Sequence, residues 1–135
     1  MDAELLNLCK KKEMEAQKAY QFNRKLISQI YESEFSLIEG YIDFSVELGS
    51  LLDSLIPQKE KPFLQFALLR IHETAIKVMR EAKILLENGS ASGAMARWRT
   101  LFELSVVANY LIKHPELSEK YIMLRTSKTD ALNKS

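Results

Sequence analysis

Two sets of charged and polar residues stand at spacings that can support chemistry. Arg99 and Glu103 are four residues apart, so on a helix a guanidinium and a carboxylate meet on one face. The chain is apolar nearly all round from Leu101 onward, so Glu103 is expected to be at least partly buried, with Arg99 or Arg70 as the partner a buried carboxylate needs. The pair reads either as a structural ion pair that orients a bundle or as the catalytic part of a site. The second set is Glu32, Ser36, Glu39, Asp43, Glu47, Ser50 and Asp53, which follow one another at three- and four-residue steps. Like charges at that spacing repel unless something positive lies against them. A hard cation, Mg²⁺ or Mn²⁺, held by Glu39, Asp43 and Glu47 would relieve the repulsion and serve a phosphate substrate. Pairing with Arg70, Lys77 and Arg80 of a neighbouring helix would relieve it without chemistry. Paired acids at the Glu-x-x-Glu spacing of two-metal helical hydrolases occur only at Glu116 and Glu119, which favours ion pairing.

Weaker signals surround these. Asn88-Gly-Ser-Ala-Ser-Gly93 opens a helix and precedes Arg97, an arrangement that can hold a phosphate, but no strand precedes it and no lysine follows Gly93. An interhelical turn is the simpler reading. His72 and His114 have no partner at metal spacing; His72 is expected to flank its helix and His114 to cap one. Cys9, the only cysteine, sits beside Leu5 and Leu6 and reads as a small hydrophobe; with no disulfide possible within the chain, a reducing, cytoplasmic compartment is expected.

The elements that must position these residues are helices. Only 4 glycines and 3 prolines occur in 135 residues, too few for turn-dense β folds or glycine-loop nucleotide folds. The expectation is one all-α domain over residues 1–135, an antiparallel bundle of four to five helices. Residues 2–56 contain no proline, and one unbroken helix of that length would run about 80 Å, so a break is expected, at Gln21 to Asn23 in preference to Ser33 to Ser36. The second helix is expected to pack through Ile27, Ile30, Leu37, Tyr41, Phe44, Leu48, Leu51 and Leu55. Pro57 to Pro62 is a charged connection. The third helix carries a stripe at Leu64, Leu68, Ile71, Ala75, Val78, Ala82 and Leu85, widened by Phe66, Leu69, Ile76 and Ile84, and Asn88-Gly89 ends it. Ser90 or Ser92 starts a fourth helix that places Ala94, Trp98, Leu101, Ser105, Ala108 and Ile112 on one face, with Arg99, Glu103 and Tyr110 opposite, and Pro115 stops it. A fifth opens at Pro115 and loses its apolar period after Arg125, so the tail is expected to fray or the chain to be an abbreviated version of a longer one.

The run Leu85-Leu86-Glu87-Asn88-Gly89, then Ser92-Gly93-Ala94, then Arg97-Trp98-Arg99-Thr100-Leu101-Phe102-Glu103-Leu104 resembles a family of bacterial all-helical proteins of unknown function. The likeness covers about residues 62 to 125. It implies an all-α fold, singles out Arg99 and Glu103, and supplies no activity; members often extend further.

Charge narrows the function. Residues 1–25 carry a net charge of +2, residues 26–57 a net of −6 with no Lys or Arg, and residues 58–135 a net of +5. An acidic segment between basic ones repels phosphates along its length, which excludes a broad nucleic-acid surface. The N-terminus from Met1 to Lys12 places its charges after its apolar residues, and the longest apolar stretch, Leu104 to Ile112, is broken by Ser105 and Asn109, so neither a signal peptide nor a membrane span is expected. The expectation is a non-enzymatic interaction or regulatory module that forms a homodimer and takes a protein partner, without a cofactor. The alternative is an enzyme that processes nucleic acid or nucleotides with Mg²⁺ or Mn²⁺.

Overall fold

The computed structural model describes residues 2–55 and 61–133, all of whose regular structure is helical. In order they are α1 (Ala3–Ile30), α2 (Glu32–Leu55), α3 (Pro62–Glu87), α4 (Ala91–Lys113), a 3₁₀ turn (Pro115–Leu117) and α5 (Ser118–Asn133). The connection read at Pro57 to Pro62 falls largely on residues 56–60, outside the described residues, as does the Leu55 side chain.

Local chemistry accounts for the ends of the helices. Pro62 occupies the first turn of α3, where a missing N–H leaves no bond unmade. At the other end Gly89 adopts φ +78°, and its N–H bonds to the Leu86 carbonyl while that of Ser90 bonds to Leu85 at 2.8 Å. These two reversed bonds are the glycine-terminated cap that a left-handed residue permits. Ser90 then precedes α4, His114 follows its last residue, and Pro115 turns the chain into α5. Beyond Arg125, where the apolar period is lost, α5 remains helical to Asn133 with residues 123–132 exposed.

The break in the long N-terminal segment lies at Tyr31 and not at Gln21 to Asn23, and it is a kink. Tyr31 donates to Ile27 O and accepts from Phe35 N–H at 2.9 Å, so the ladder continues while ψ opens to 27°. Helix persists through Gln21 to Asn23 because the residues on either side are anchored: Tyr20 Oη donates to Asn88 Oδ1, and Arg24 lies 4.0 Å from Glu87. α1 thereby crosses the C-terminal end of α3.

α3 is the central helix. Its Ala67 and Ile71 join Leu104 and Leu111 of α4 in the core, with Leu117, Tyr121 and Ile122 closing one end. On its other side His72 donates from Nε2 to Ser45 O of α2 at 2.7 Å. α2 and α4 thus flank α3, both antiparallel to it. Of the stripe expected on α3, Ile71, Val78 and Ala82 are buried and Leu64, Leu68, Ala75 and Leu85 half-buried. Of the residues expected to widen it, Ile76 is buried and Leu69 half-buried while Phe66 and Ile84 are exposed, and Ala67, outside the expected stripe, is fully buried.

Two faces are corrected. On α2 the buried residues are Ile42 and Ser45, with Ile38 and Gly49 half-buried, whereas Leu37, Tyr41, Phe44 and Leu51 of the expected seam are exposed. The cause is close approach: a Cβ on Gly49 would stand 2.9 Å from the His72 ring, so the small Ser45 and Gly49 face decides how α2 docks. On α4 the buried stripe is Ala94, Leu104 and Leu111, while Trp98 and Ile112 are exposed. The expected face lies beside this stripe: Leu101 and Ala108 are half-buried at the edge of the core.

Candidate functional site

The Arg99 and Glu103 pair forms, with Arg99 Nε donating to Glu103 Oε1 at 3.2 Å, but its side chains are 82% and 61% exposed. The expected burial of Glu103 is overturned because Leu104, one residue or about 100° further round, takes the core position. Arg70 is not its partner; it pairs with Glu73 on its own helix at 3.1 Å.

On the acidic helix Glu39 meets a cation, while Asp43 and Glu47 stand exposed. The cation is Lys83, whose Nζ lies 2.9 Å from Glu39 and 2.7 Å from Glu87, in place of the expected Arg70, Lys77 and Arg80. Because Arg24 approaches Glu87 from α1, the cluster ties α1, α2 and α3 together. Among the described residues no three of His, Cys, Asp and Glu are grouped to hold a metal.

Hydrogen bonds to Glu87 and then Glu39 raise the Lys83 pKa above the usual 10.5. A pKa raised on folding stabilises the fold fully below the unfolded value, and this contribution is lost as pH rises through the higher folded value. Lys83→Met should therefore cost about 1 kcal/mol near neutral pH, the size of a partly exposed charged network. It should also remove part of the loss of stability above pH 10.5. Urea titrations of both proteins at pH 7 and above pH 10.5 read this; parallel pH profiles would refute it.

In the turn from Asn88 to Gly93 several of the groups that could hold a phosphate are already engaged. The N–H groups of Gly89 and Ser90 cap α3, Asn88 Nδ2 bonds to Ile84 O, and Arg97 pairs with Glu81 at 3.1 Å. His114 stacks against Tyr110 with its Nδ1 3.5 Å from Glu116, and Cys9 is exposed.

The most developed surface is apolar. A groove of about 590 Å³ runs between α2 and α4 over α3. Leu37 and Tyr41 form one wall, Trp98 and Leu101 the other, and Ala75, Met79, Ala82 and Leu86 the floor. Neither Arg99, Glu103, Asp43 nor Glu47 reaches it. The signal in the sequence is the small residues Ala75 and Ala82, which open the floor between bulkier neighbours; by spacing alone they read as part of a filled stripe.

These features define an all-α antiparallel bundle with an open apolar face. Within it, residues 65–130 match the family of unknown function DUF5677. The match spans nearly all of α3, then α4 and most of α5, close to the range expected from the Arg97 to Leu104 signature, and leaves α1 and α2 outside. No curated protein and no solved structure matches the chain. No described helix is long and apolar enough to cross a membrane.

Proposed function

We propose that this chain is a non-enzymatic helical interaction module that works as a homodimer. The observation that carries the reading is the surface it exposes, 10793 Å² for 15.6 kDa. A compact monomer of that mass exposes about 7,200 Å², an excess here of roughly 3,500 Å². Large apolar side chains share in it, among them Leu37, Tyr41, Phe44, Phe66, Trp98 and Phe102. Stable dimers bury about 800 Å² or more on each partner, well within that excess. The single cysteine supports a reducing, cytoplasmic setting, and the resemblance of the Leu85 to Leu104 run to a bacterial family supports a bacterial one.

The metal-dependent alternative draws no support from Glu39, which is engaged with Lys83. Sedimentation equilibrium at micromolar concentration should give a species of twice 15.6 kDa. A single species at the monomer mass would overturn the proposal.

A further inference from the structure

We infer that the N-terminal half of α1 from a second copy fills the groove between α2 and α4, so that two copies exchange their first helices about a two-fold axis. The inference rests on the self-association proposed above and specifies its geometry.

Three observations converge on that occupant. The first is an unpartnered helix to match an unfilled groove. Every side chain of residues 3–19 is exposed, yet Leu5, Leu8, Cys9, Ala16 and Ala19 share one face at helical spacing, with Lys12 as the one charged residue among them. It is the same face that Tyr20 turns to Asn88, and Ile27 to Gly89, at the end of α3. Seventeen residues span roughly 25 Å, and the groove floor from Ala75 to Leu86 rises about 16 Å, so the helix is long enough to cover it.

The second observation is charge. Residues 26–57, which contain α2, carry −6, whereas residues 3–19, the part that enters the groove, carry +1. Packing α2 on the α2 of another copy sets −6 against −6, whereas α1 on α2 sets opposite signs together. The third is connectivity. Tyr31 keeps the helical ladder running into α2, and Tyr20 and Arg24 hold α1 across the end of α3. The N-terminal half of α1 is therefore directed away from its own groove, and a second copy supplies the same helix. Reciprocal insertion closes the assembly at two chains, as a two-fold interface requires.

Cys9 provides the test, since the sequence contains no other thiol. A size-tagged chain carrying Cys9→Ser and Tyr41→Cys is mixed with the native chain, unfolded and refolded together, and oxidised. Tyr41 is exposed, so the variant should fold, as far-ultraviolet circular dichroism will establish. Trp98→Cys on the other wall serves as the second variant. The mixed disulfide should exceed either homotypic disulfide roughly tenfold, because thiols held in one interface meet at an effective concentration near millimolar. Predominance of the disulfide between two tagged Tyr41→Cys chains would mean that α2 packs on α2, and predominance of the disulfide between two native chains through Cys9 that α1 packs on α1; either overturns the exchange. A chain bearing both thiols that closes on itself as a monomer overturns it too. A dimer by sedimentation with no mixed disulfide removes the exchange and leaves self-association standing, whereas a monomer removes both.

Discussion

Ile42→Ala is expected to lower the unfolding free energy by about 2–4 kcal/mol, the cost of emptying a well-packed aliphatic site. Ile42 is fully buried, and among its described residues α2 offers no second aliphatic side chain as deeply enclosed to take over its contacts. Phe44→Ala, two residues on, removes a larger side chain that is 60% exposed. Its effect on a single copy should stay below about 1 kcal/mol, as for surface positions. Any larger effect should appear as a dependence of the urea midpoint on protein concentration, since Phe44 lies on the face left for association. The paired measurement tests the orientation of α2 directly. If Phe44→Ala costs one copy more than Ile42→Ala does, the helix docks through the seam of Leu37, Tyr41 and Phe44 after all.

That seam shows where sequence reasoning works and where it stops. Punctuation is local chemistry, so the start of α3 at Pro62, its end at Asn88 and Gly89, and the stop of α4 before Pro115 are all legible. The stripe on α3 is legible in part because α2 and α4 flank this helix, yet Ala67 is buried outside that stripe and Phe66, Ile84 and Leu86 stay exposed. α2 has two usable faces, and hydrophobicity alone ranks them wrongly. The richer face, with Leu37, Tyr41 and Phe44, is left open, while the plainer one docks because Ser45 and Gly49 admit the His72 ring. A small residue makes room only for a particular neighbour, and no periodicity names that neighbour.

The candidate residues divide in the same way. An i,i+4 relation such as Arg99 with Glu103 is set by one helix, and the contact forms. The partner of the acidic stripe depends on how two antiparallel helices are registered. With Glu39 opposite Lys83 and Ser45 opposite His72, the cation one turn beyond those expected does the pairing. The apolar groove is the least legible feature, because it is defined by what three helices leave unfilled. Ala75 and Ala82 read as ordinary core positions until α2 and α4 are placed beside them.

The last expected result concerns adjacent residues of α4 with opposite fates. Leu104 is buried in the cluster with Ala67, Ile71 and Leu111, so Leu104→Ala should cost about 2–5 kcal/mol by leaving a cavity between α3 and α4. Glu103→Ala removes one member of an ion pair whose side chains are largely in water. Screening and lost side-chain freedom reduce such a pair to a few tenths of a kcal/mol, and alanine returns some of that through its higher helix propensity. The net change should lie within about 0.5 kcal/mol, too small to move the urea midpoint clearly. A buried Glu103 would behave otherwise, because losing it would strand Arg99 and cost about 3 kcal/mol. The difference between these outcomes is larger than the error of a urea titration. A cost for Glu103→Ala approaching that of Leu104→Ala would rotate α4 by one residue and return Arg99 and Glu103 to the interior, where a catalytic role would again have to be considered.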